Sequence, residues 1–414
     1  MRFTSFQSAA AGKGRKGVVM YKIFCRVYQF VYKIVAYLLP WRKPELISIN
    51  EVPNLIKKID VSSVLLVTDK GIAKMGLHNE LVKAIVSNSL KCMVYDQTVP
   101  NPTIENIEKA LKLYNENNCG AIIGFGGGSA IDCAKGVGAR VARPNKPIQK
   151  MRGQLKVIRR IPPFIAVPTT AGTGTETTLT SVVVDEKTHE KYAINDIALI
   201  PHYAVLDWTL TKGLPKHITA ATGMDALTHA VEAYIGRSNT AQTKKDAIAA
   251  TKLIFENLFN AYTDGSNQTA RENMQKAAYL AGAAFTRAYV GNIHAAAHTL
   301  GGLYDTPHGK ANAVIMPYVL DAYGESVYNS LAELADAAGL AKNAGSHKEK
   351  AEEFIKAVRH LNKVMDIPEK ITELKREDIP VLAKRALKEA NPLYPVPVIF
   401  DTAKMEGIFL SILS

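Results

Sequence analysis

Short apolar runs alternate with longer amphipathic segments between residues 50 and 210. Four runs have the length and apolar content of buried strands: 63–68 (SVLLVT), 91–95 (KCMVY), 121–125 (AIIGF) and 164–167 (FIAV). Helical spacing of apolar positions follows at 72–89, from the turn at 99–102 to about 118, and at 130–142. Residues 179–184 and 204–206 add further extended pieces. The alternation predicts parallel βαβ units with helices on both faces of the sheet.

After residue 216 the alternation stops, and Ala-rich helical patterns continue to the C-terminus. A chain of 414 residues has room for two or three domains of ordinary size. We therefore expect an N-terminal extension (1–45), an α/β domain (46–213) and a helical domain (214–414). The cleft between the last two is the expected place for a small-molecule site.

Residues 18–39 form an apolar, aromatic segment that is expected to be helical and to end at Pro40. Its polar positions 22, 26, 29 and 33 fall on one stripe, and three of them are basic, which argues against a membrane span or a signal peptide. The first interpretation is a helix whose apolar side packs on the protein body or on a neighbouring subunit. The alternatives are an interfacial helix in peripheral contact with an anionic membrane, and a targeting presequence.

Charge and composition narrow the class of protein. The net charge is +13, but residues 1–43 hold nine bases and no acid, so the charge gives little support to nucleic-acid binding and no such partner is expected. Residues 1–17 are expected to be disordered. Apolar residues make up 47% of the chain, which is typical of globular proteins. Four cysteines without a CxxC pair indicate buried thiols in a reducing compartment, which favours a cytoplasmic location.

Two glycine-containing segments follow predicted strands and could bind phosphate. Gly127, Gly128 and Ser129 open a helix, whose N-terminal amides suit a pyrophosphate, although the GxGxxG spacing is absent. Residues 168–178 (PTTAGTGTETT) supply hydroxyl and amide donors, or form only a polar surface loop. Asp69 ends the first strand, where a carboxylate could bind ribose and favour NAD over NADP. Alternatively, Asp69 only caps the next helix.

Ligand-type residues recur at helical spacing in the predicted helical domain. Asp225 and His229 lie four residues apart, as do His294 and His298, and His308 follows at an expected turn. Residues four apart project from one face of a helix. A carboxylate with several imidazoles suits Fe²⁺, Zn²⁺ or a similar divalent ion. The pattern predicts a metal site, whereas any one of these histidines alone would more often be an ordinary core residue.

Four blocks in this order resemble the iron-containing (metal-dependent, group III) alcohol dehydrogenases, which have the dehydroquinate-synthase-like fold. They are GGGS at 126–129 with Asp132, PTTAGTGTE at 168–176, DALTH at 225–229, and HAAAH to TPHG at 294–309. The resemblance covers about residues 46–414. It implies an α/β N-terminal Rossmann-like domain with a parallel sheet, an all-helical C-terminal domain, and a cofactor and metal in the cleft between them.

The resemblance also implies roles for individual residues. The metal ligands would be Asp225, His229, His294 and His308. His298 matches an additional cleft histidine, implied to act in proton relay or substrate positioning. The implied cofactor-binding residues are Asp69 and Asn101 near adenosine, Gly127, Gly128, Ser129 and Asp132 near the pyrophosphate, Thr169, Thr170 and Thr173 in the threonine loop, and Val182 and Lys191 near the nicotinamide.

The activity implied by this resemblance is reversible hydride transfer between a small primary alcohol or diol and NAD, with NADP less favoured. The implied metal is Fe²⁺, with Zn²⁺ or another divalent ion as the alternative. A homo-oligomer is expected. The alternative functions are a polyol dehydrogenase or a dehydroquinate-synthase-like enzyme on the same fold, a membrane-associated dehydrogenase, and a non-catalytic relative.

Overall fold

A computed structural model describes residues 15–188 and 190–414. The disorder expected for the N-terminal end therefore lies mostly outside the described residues. Within them, six strands form one parallel sheet in the order β1-β9-β6-β4-β2-β3. These strands are β1 (Glu45–Ile47), β2 (Ser63–Asp69), β3 (Lys91–Thr98), β4 (Ala121–Gly126), β6 (Phe164–Pro168) and β9 (Tyr203–Val205).

Helices cover both faces of this sheet, as predicted. They are α2 (Val52–Lys58), α3 (Lys70–Met75), α4 (Asn79–Ser87), α5 (Ile104–Glu116) and α6 (Gly128–Ala142). Successive strand residues point to opposite faces. Leu65 accordingly packs with the apolar cluster of α5 and α6, and Leu66 with that of α2 and α4. Because both faces are covered, the central strands are continuous apolar runs.

Two details of the sheet differ from the sequence expectation. The helix expected over 72–89 is divided into α3 and α4, because Gly76 adopts a left-handed backbone (φ 70°) that ends α3. The extended piece expected at 179–184 belongs to a second sheet, in which an antiparallel hairpin carries a short parallel strand. This second sheet has the order β5-β8-β7 and consists of β5 (Gly153–Gln154), β7 (Thr180–Asp185) and β8 (Glu190–Asn195).

The chain from residue 216 onward is helical, as expected. Its helices are α7 (Lys216–Ile235), α8 (Ala241–Thr263), α9 (Gln268–Ala288), α10 (Asn292–Tyr304), α11 (His308–Tyr323), α12 (Tyr328–Ala337), α13 (His347–Val364), α14 (Ile379–Ala390) and α15 (Thr402–Ser411). One large apolar cluster, rich in buried alanine, joins them. Short 3₁₀ helices lie at Ile49–Glu51, Ile148–Met151, Ile197–Leu199, Trp208–Thr211, Gly324–Val327 and Arg376–Asp378.

The N-terminal helix α1 (Arg15–Leu38) packs with the opposite side from the one expected. Its polar stripe faces the body, where Arg26 donates to the carbonyls of Val396 and Pro397 and Gln29 donates to that of Tyr394. Cys25, on the same side, is fully buried. The apolar side is exposed instead, so the expectation that it packs on the body is wrong. None of the helices in the described residues is long and apolar enough to cross a membrane.

A buried lysine ties α6 to the segment that follows β6. The ammonium of Lys135 donates to the carbonyl of Thr178 at 2.7 Å, to its hydroxyl at 2.8 Å, and to the carbonyl of Thr180 at 2.9 Å. Burial lowers the pKa of Lys135 to about 8, although Asp132 and Glu176 oppose this effect. Since a buried cation is costly unless it is fully hydrogen-bonded, these carbonyls fix where residues 175–180 lie.

We expect Lys135→Met to destabilise the protein by about 3 kcal/mol, because two buried carbonyls lose their charged donor. Urea unfolding of the purified variant measures this loss. The matched control is Lys109→Met, which removes an exposed lysine paired with Glu105, and it should change stability by less than about 0.5 kcal/mol. Equal stabilities of the two variants would show that Lys135 does not hold this segment.

Candidate metal and cofactor site

Three helices bring together the four residues expected to bind metal. Asp225 and His229 lie one turn apart on α7, His294 is in the first turn of α10, and His308 begins α11. Each offers one ligand atom, and these four atoms all lie within 4.8 Å of one another. Asp225, His229 and His294 are buried, and His308 is half-buried. The i, i+4 spacing in α7 therefore produces the geometry inferred from it.

The Asp225 carboxylate lies at the centre of this group. Its Oδ1 is 3.3 Å from Nε2 of His308 and 3.7 Å from Nε2 of His294, and it accepts a hydrogen bond from the Asn312 amide at 2.8 Å. Burial alone would raise the pKa of Asp225, but His229 and His308 hold it well below its usual value. Burial lowers the pKa of His229 to about 3. Asp225 is therefore ionised and His229 neutral, which are the forms that bind metal.

A second buried carboxylate, Glu232, orients His294. Its Oε2 is 2.6 Å from Nδ1 of His294, and the backbone amides of Gly291 and Ile293 donate to its two oxygens at 2.8 Å. Glu232 was not among the residues predicted from the sequence. Glu232 follows His229 by three residues and so shares the helix face of Asp225 and His229, a spacing that could have identified it. Such carboxylate–histidine pairs fix the tautomer and the ring orientation of a metal ligand.

The donor set fits a divalent transition metal. With Nδ1 of His294 directed at Glu232, its Nε2 is a buried nitrogen without a hydrogen-bond partner, and it faces Asp225. A bound cation would satisfy that nitrogen. Three imidazoles and one carboxylate form the mixed nitrogen and oxygen set that Fe²⁺ and Zn²⁺ accept.

His298 lies beside this group. Its ring stacks on that of His308, with centroids 5.1 Å apart, and its Nδ1 is 2.6 Å from Oε1 of Glu389. The same oxygen accepts a hydrogen bond from the Tyr394 hydroxyl at 2.8 Å. Glu389 and Tyr394 were also missed, because 91 residues separate Glu389 from His298 and no local pattern links them. Tyr394, Glu389 and His298 therefore form a hydrogen-bonded chain that ends at the partly exposed imidazole of His298.

The glycine turn and the threonine loop, predicted separately, face each other. Gly126 has a φ of 146°, which other residues rarely adopt, and Gly127 caps α6 without a side chain. A Cβ added at Gly128 would lie 3.2 Å from the Thr173 side chain, and one at Gly127 would lie 3.6 Å from that of Thr170. The backbone amide of Thr169 donates to the Gly126 carbonyl. Free amides of a helix N-terminus and threonine hydroxyls therefore border one space.

Asp69 has the position expected at the end of β2, and both interpretations of it are compatible with the geometry. Its Oδ1 accepts from the Ile72 amide at 3.0 Å and so caps α3. Its Oδ2 lies 3.5 Å from the point where a Cβ on Gly126 would be, which places this oxygen against the glycine turn. The carboxylate caps a helix with one oxygen and borders the turn with the other.

The remaining residues expected at the cofactor form two hydrogen-bonded groups. The side-chain oxygen of Asn101 accepts a hydrogen bond from the Lys191 ammonium at 2.7 Å, and the backbone amide of Asn101 donates to the Ser129 hydroxyl at 3.1 Å. Asp132 accepts from the Thr175 hydroxyl at 2.8 Å and from the Val182 amide at 3.0 Å. Each oxygen of Asp132 thus accepts a hydrogen bond from within the protein, so its carboxylate links α6 to the threonine loop and to β7.

The threonine loop also connects the cofactor side to the metal side. The backbone of Gly172 interacts with the His229 ring, and a Cβ there would lie 2.5 Å from Thr222 of α7. A Cβ at Gly174, which has a φ of 59°, would lie 2.6 Å from Gly282 of α9. Only glycine allows these approaches. A nucleotide bound along the loop would therefore lie next to the metal group.

We expect Glu232→Gln to weaken metal binding about 10- to 100-fold, because the neutral amide no longer fixes the His294 ring or balances the charge of the ion. Competition for Zn²⁺ with a chromophoric chelator measures this affinity without relying on turnover. Glu256→Gln, which alters an exposed carboxylate on α8, is the control and should bind like the wild type. Equal affinity in both variants would contradict the role assigned to Glu232.

Comparison with known proteins identifies the family. The family model described as "Iron-containing alcohol dehydrogenase" matches residues 46–208, and the one described as "Fe-containing alcohol dehydrogenase family, C-terminal" matches residues 219–413.

Individual relatives agree with these family models. Alcohol dehydrogenase 4 of Saccharomyces cerevisiae is 39% identical over 365 residues, which are 87% of this chain and 94% of the relative. The NAD-dependent methanol dehydrogenase of Bacillus methanolicus is 35% identical over 83% of this chain and 90% of its own. A crystal structure of 1,3-propanediol oxidoreductase superposes with a TM-score of 0.87 at 34% identity, covering 91% of this chain and all of the other. The resemblance inferred from the four sequence blocks is confirmed, and this chain belongs to the iron-containing alcohol dehydrogenase family.

Proposed function

We propose that this alcohol dehydrogenase transfers hydride between a small primary alcohol or diol and NAD where the threonine loop adjoins the four-residue metal group. The observation that carries this assignment is the convergence of the ligand atoms of Asp225, His229, His294 and His308 within 4.8 Å. Relatives that act on methanol and 1,3-propanediol support small alcohols as the substrate class.

The four residues would hold one divalent ion, for which the family favours Fe²⁺ over Zn²⁺. When bound, that ion supplies Lewis-acid polarisation of the alcohol or carbonyl oxygen. Glu232 orients His294 through Nδ1, and Asn312 steadies Asp225 through a hydrogen bond to Oδ1. Because Asp225 and Glu232 are both buried, two protein charges favour a cation at this place and disfavour an anion.

The α/β side would hold NAD, the hydride acceptor. Amides at the start of α6, from Gly127 to Ser129, together with Thr169, Thr170 and Thr173, would bind the pyrophosphate. Asp69 would accept hydrogen bonds from the adenosine ribose, with Asn101 nearby. Val182 and Lys191, on the hairpin of β7 and β8, would border the nicotinamide half. We assign Asp132 a positioning role, because both its oxygens have protein partners.

We assign His298 the proton step. Its Nδ1 is directed at Glu389, so its Nε2 is the nitrogen left to exchange a proton with the substrate hydroxyl and then with solvent. Tyr394 holds the carboxylate of Glu389 in place. The side chain of His298 is 40% exposed, which gives the proton a route out of the cleft.

We further propose a cytoplasmic location and a homo-oligomeric state. Cys25, Cys119 and Cys133 are free thiols buried in the core. Free cysteines are typical of proteins in a reducing compartment, which supports a cytoplasmic location. The homo-oligomer is an expectation from the family.

We expect His294→Ala to abolish metal binding and to lower kcat/KM by at least about 100-fold, since it removes a buried ligand of the metal group. Elemental analysis of protein purified without added metal, combined with NADH absorbance in an alcohol and aldehyde screen, measures both effects. The control is His360→Ala, an exposed histidine of α13. A metal-free variant with undiminished turnover would end this assignment.

The two interpretations of Asp69 make different predictions for Asp69→Asn. Asparagine caps helices as well as aspartate, so the free energy of unfolding should stay unchanged. If Asp69 also faces the ribose, loss of its charge removes the repulsion of a 2′-phosphate, and the NADPH to NADH ratio of kcat/KM should rise about tenfold or more. An unchanged ratio would leave Asp69 as a cap only.

A further inference from the structure

The outward side of α1 carries a continuous apolar stripe. Its members recur every three or four residues, and between 49% and 77% of each side chain is exposed. We call them the outer face of α1: Met20, Ile23, Val27, Phe30, Ile34 and Leu38. Contiguous apolar surface of this kind is uncommon on monomeric proteins and marks an interaction site.

Hydrogen bonds on the inner side fix this orientation. Arg26 donates to two carbonyls at 2.7 Å, Gln29 donates to the Tyr394 carbonyl at 2.7 Å, and Lys33 donates to the Arg237 carbonyl at 3.0 Å. Rotating α1 to bury its apolar side would break all of these bonds and expose Cys25. These hydrogen bonds therefore keep the outer face of α1 directed away from the body.

The chain segment that contains α1 is strongly basic, although Arg26 and Lys33 lie on the inner side of the helix and Lys43 pairs with Asp246. Residues 1–43 contain nine bases and no acid. The body adds two arginines beside the helix: Arg237 next to Arg26 and Lys33, and Arg287 over the rings of Tyr37 and Trp41. A partner for this face must be apolar at its centre and tolerate, or neutralise, a dense positive charge.

The apolar outer face and the positive charge together indicate which kind of partner binds α1. A second copy docked through the same face would bring two such basic segments together, and their repulsion would oppose association. An anionic bilayer offers acyl chains to the stripe and negative headgroups to the bases. Tyr37 and Trp41, near the C-terminal end of α1, are residue types that prefer the headgroup level. We propose that α1 lies in the plane of an anionic lipid surface, with its outer face among the acyl chains, and holds the enzyme peripherally on the membrane.

The inner side of α1 determines how this proposal can be tested. It binds the segment that contains Tyr394, whose hydroxyl reaches Glu389 and through it His298. Deleting α1 would therefore disturb the active site as well as the membrane contact. Substitutions confined to the outer face avoid this problem.

The experiment is flotation of the full-length, metal-loaded enzyme with vesicles of phosphatidylcholine containing about 30% phosphatidylglycerol, compared with phosphatidylcholine alone. The test variant carries Met20→Ser, Val27→Ser, Phe30→Ser and Ile34→Ser. The matched control carries the same four changes at exposed residues elsewhere: Met75→Ser, Val86→Ser, Ile158→Ser and Phe259→Ser. All basic residues stay in place in both.

We expect the wild type and the control to float with the anionic vesicles, and the test variant to bind at least about tenfold more weakly, because four apolar side chains no longer enter the bilayer. Raising NaCl from about 0.05 M to about 0.5 M should weaken wild-type binding several-fold, since it shortens the screening length. This salt arm needs no variant and stays informative if the test variant folds poorly. Unchanged alcohol dehydrogenase turnover in the lipid-free test variant shows that it is folded.

Three results would overturn the proposal. The first is failure of the wild type to float with anionic vesicles. The second is equal flotation of the test variant and the wild type. The third is a lipid-free particle mass, measured by light scattering, that is larger for the wild type than for the test variant, because the outer face would then bind a second copy of the chain.

Discussion

Two buried carboxylates within one small group of imidazoles are the constraint on which the site depends. Asp225 and Glu232 are both almost inaccessible to solvent and lie on the same face of α7. Burying charge without compensation costs more than a domain can supply, so each carboxylate must have donors or a cation close by. The Asn312 amide and the amides at the start of α10 supply part of this compensation. A divalent ion between Asp225 and the histidines would supply the rest.

The same constraint links the metal group to the helical packing. Glu232 accepts hydrogen bonds at the N-terminus of α10, where free amides and the helix dipole favour a negative charge. It therefore caps α10 and orients His294 at once. Alanine at positions 295, 296 and 297 lets α10 approach its neighbours closely, and all three are fully buried. Ligand geometry and helix position are thus set by one set of contacts.

The parts of the structure that the sequence predicted are those with a local pattern. Strands buried on both faces, such as β2 and β4, are continuous apolar runs, and the spacing of Asp225 and His229 fixes a shared helix face. β1 was missed because three residues at a sheet edge carry no periodicity. Glu389 and Lys135 were missed because their partners lie far away in sequence. For α1, only the interpretation that its apolar side packs on the body is wrong: carbonyls of residues 394–397 bind its polar side instead, and no local pattern shows them.

The threonine loop shows why the two halves of the molecule act as one unit. One side of this loop faces the start of α6, and its Gly172 and Gly174 lie against α7 and α9 at distances that exclude any side chain. Lys135 and Asp132 hold the loop from the α/β side, whereas His229 meets it from the helical side. A shift of α7 would therefore move the threonine loop together with Asp225 and His229. The threonine loop therefore joins the α/β half to the helices that carry the metal ligands through close backbone contacts.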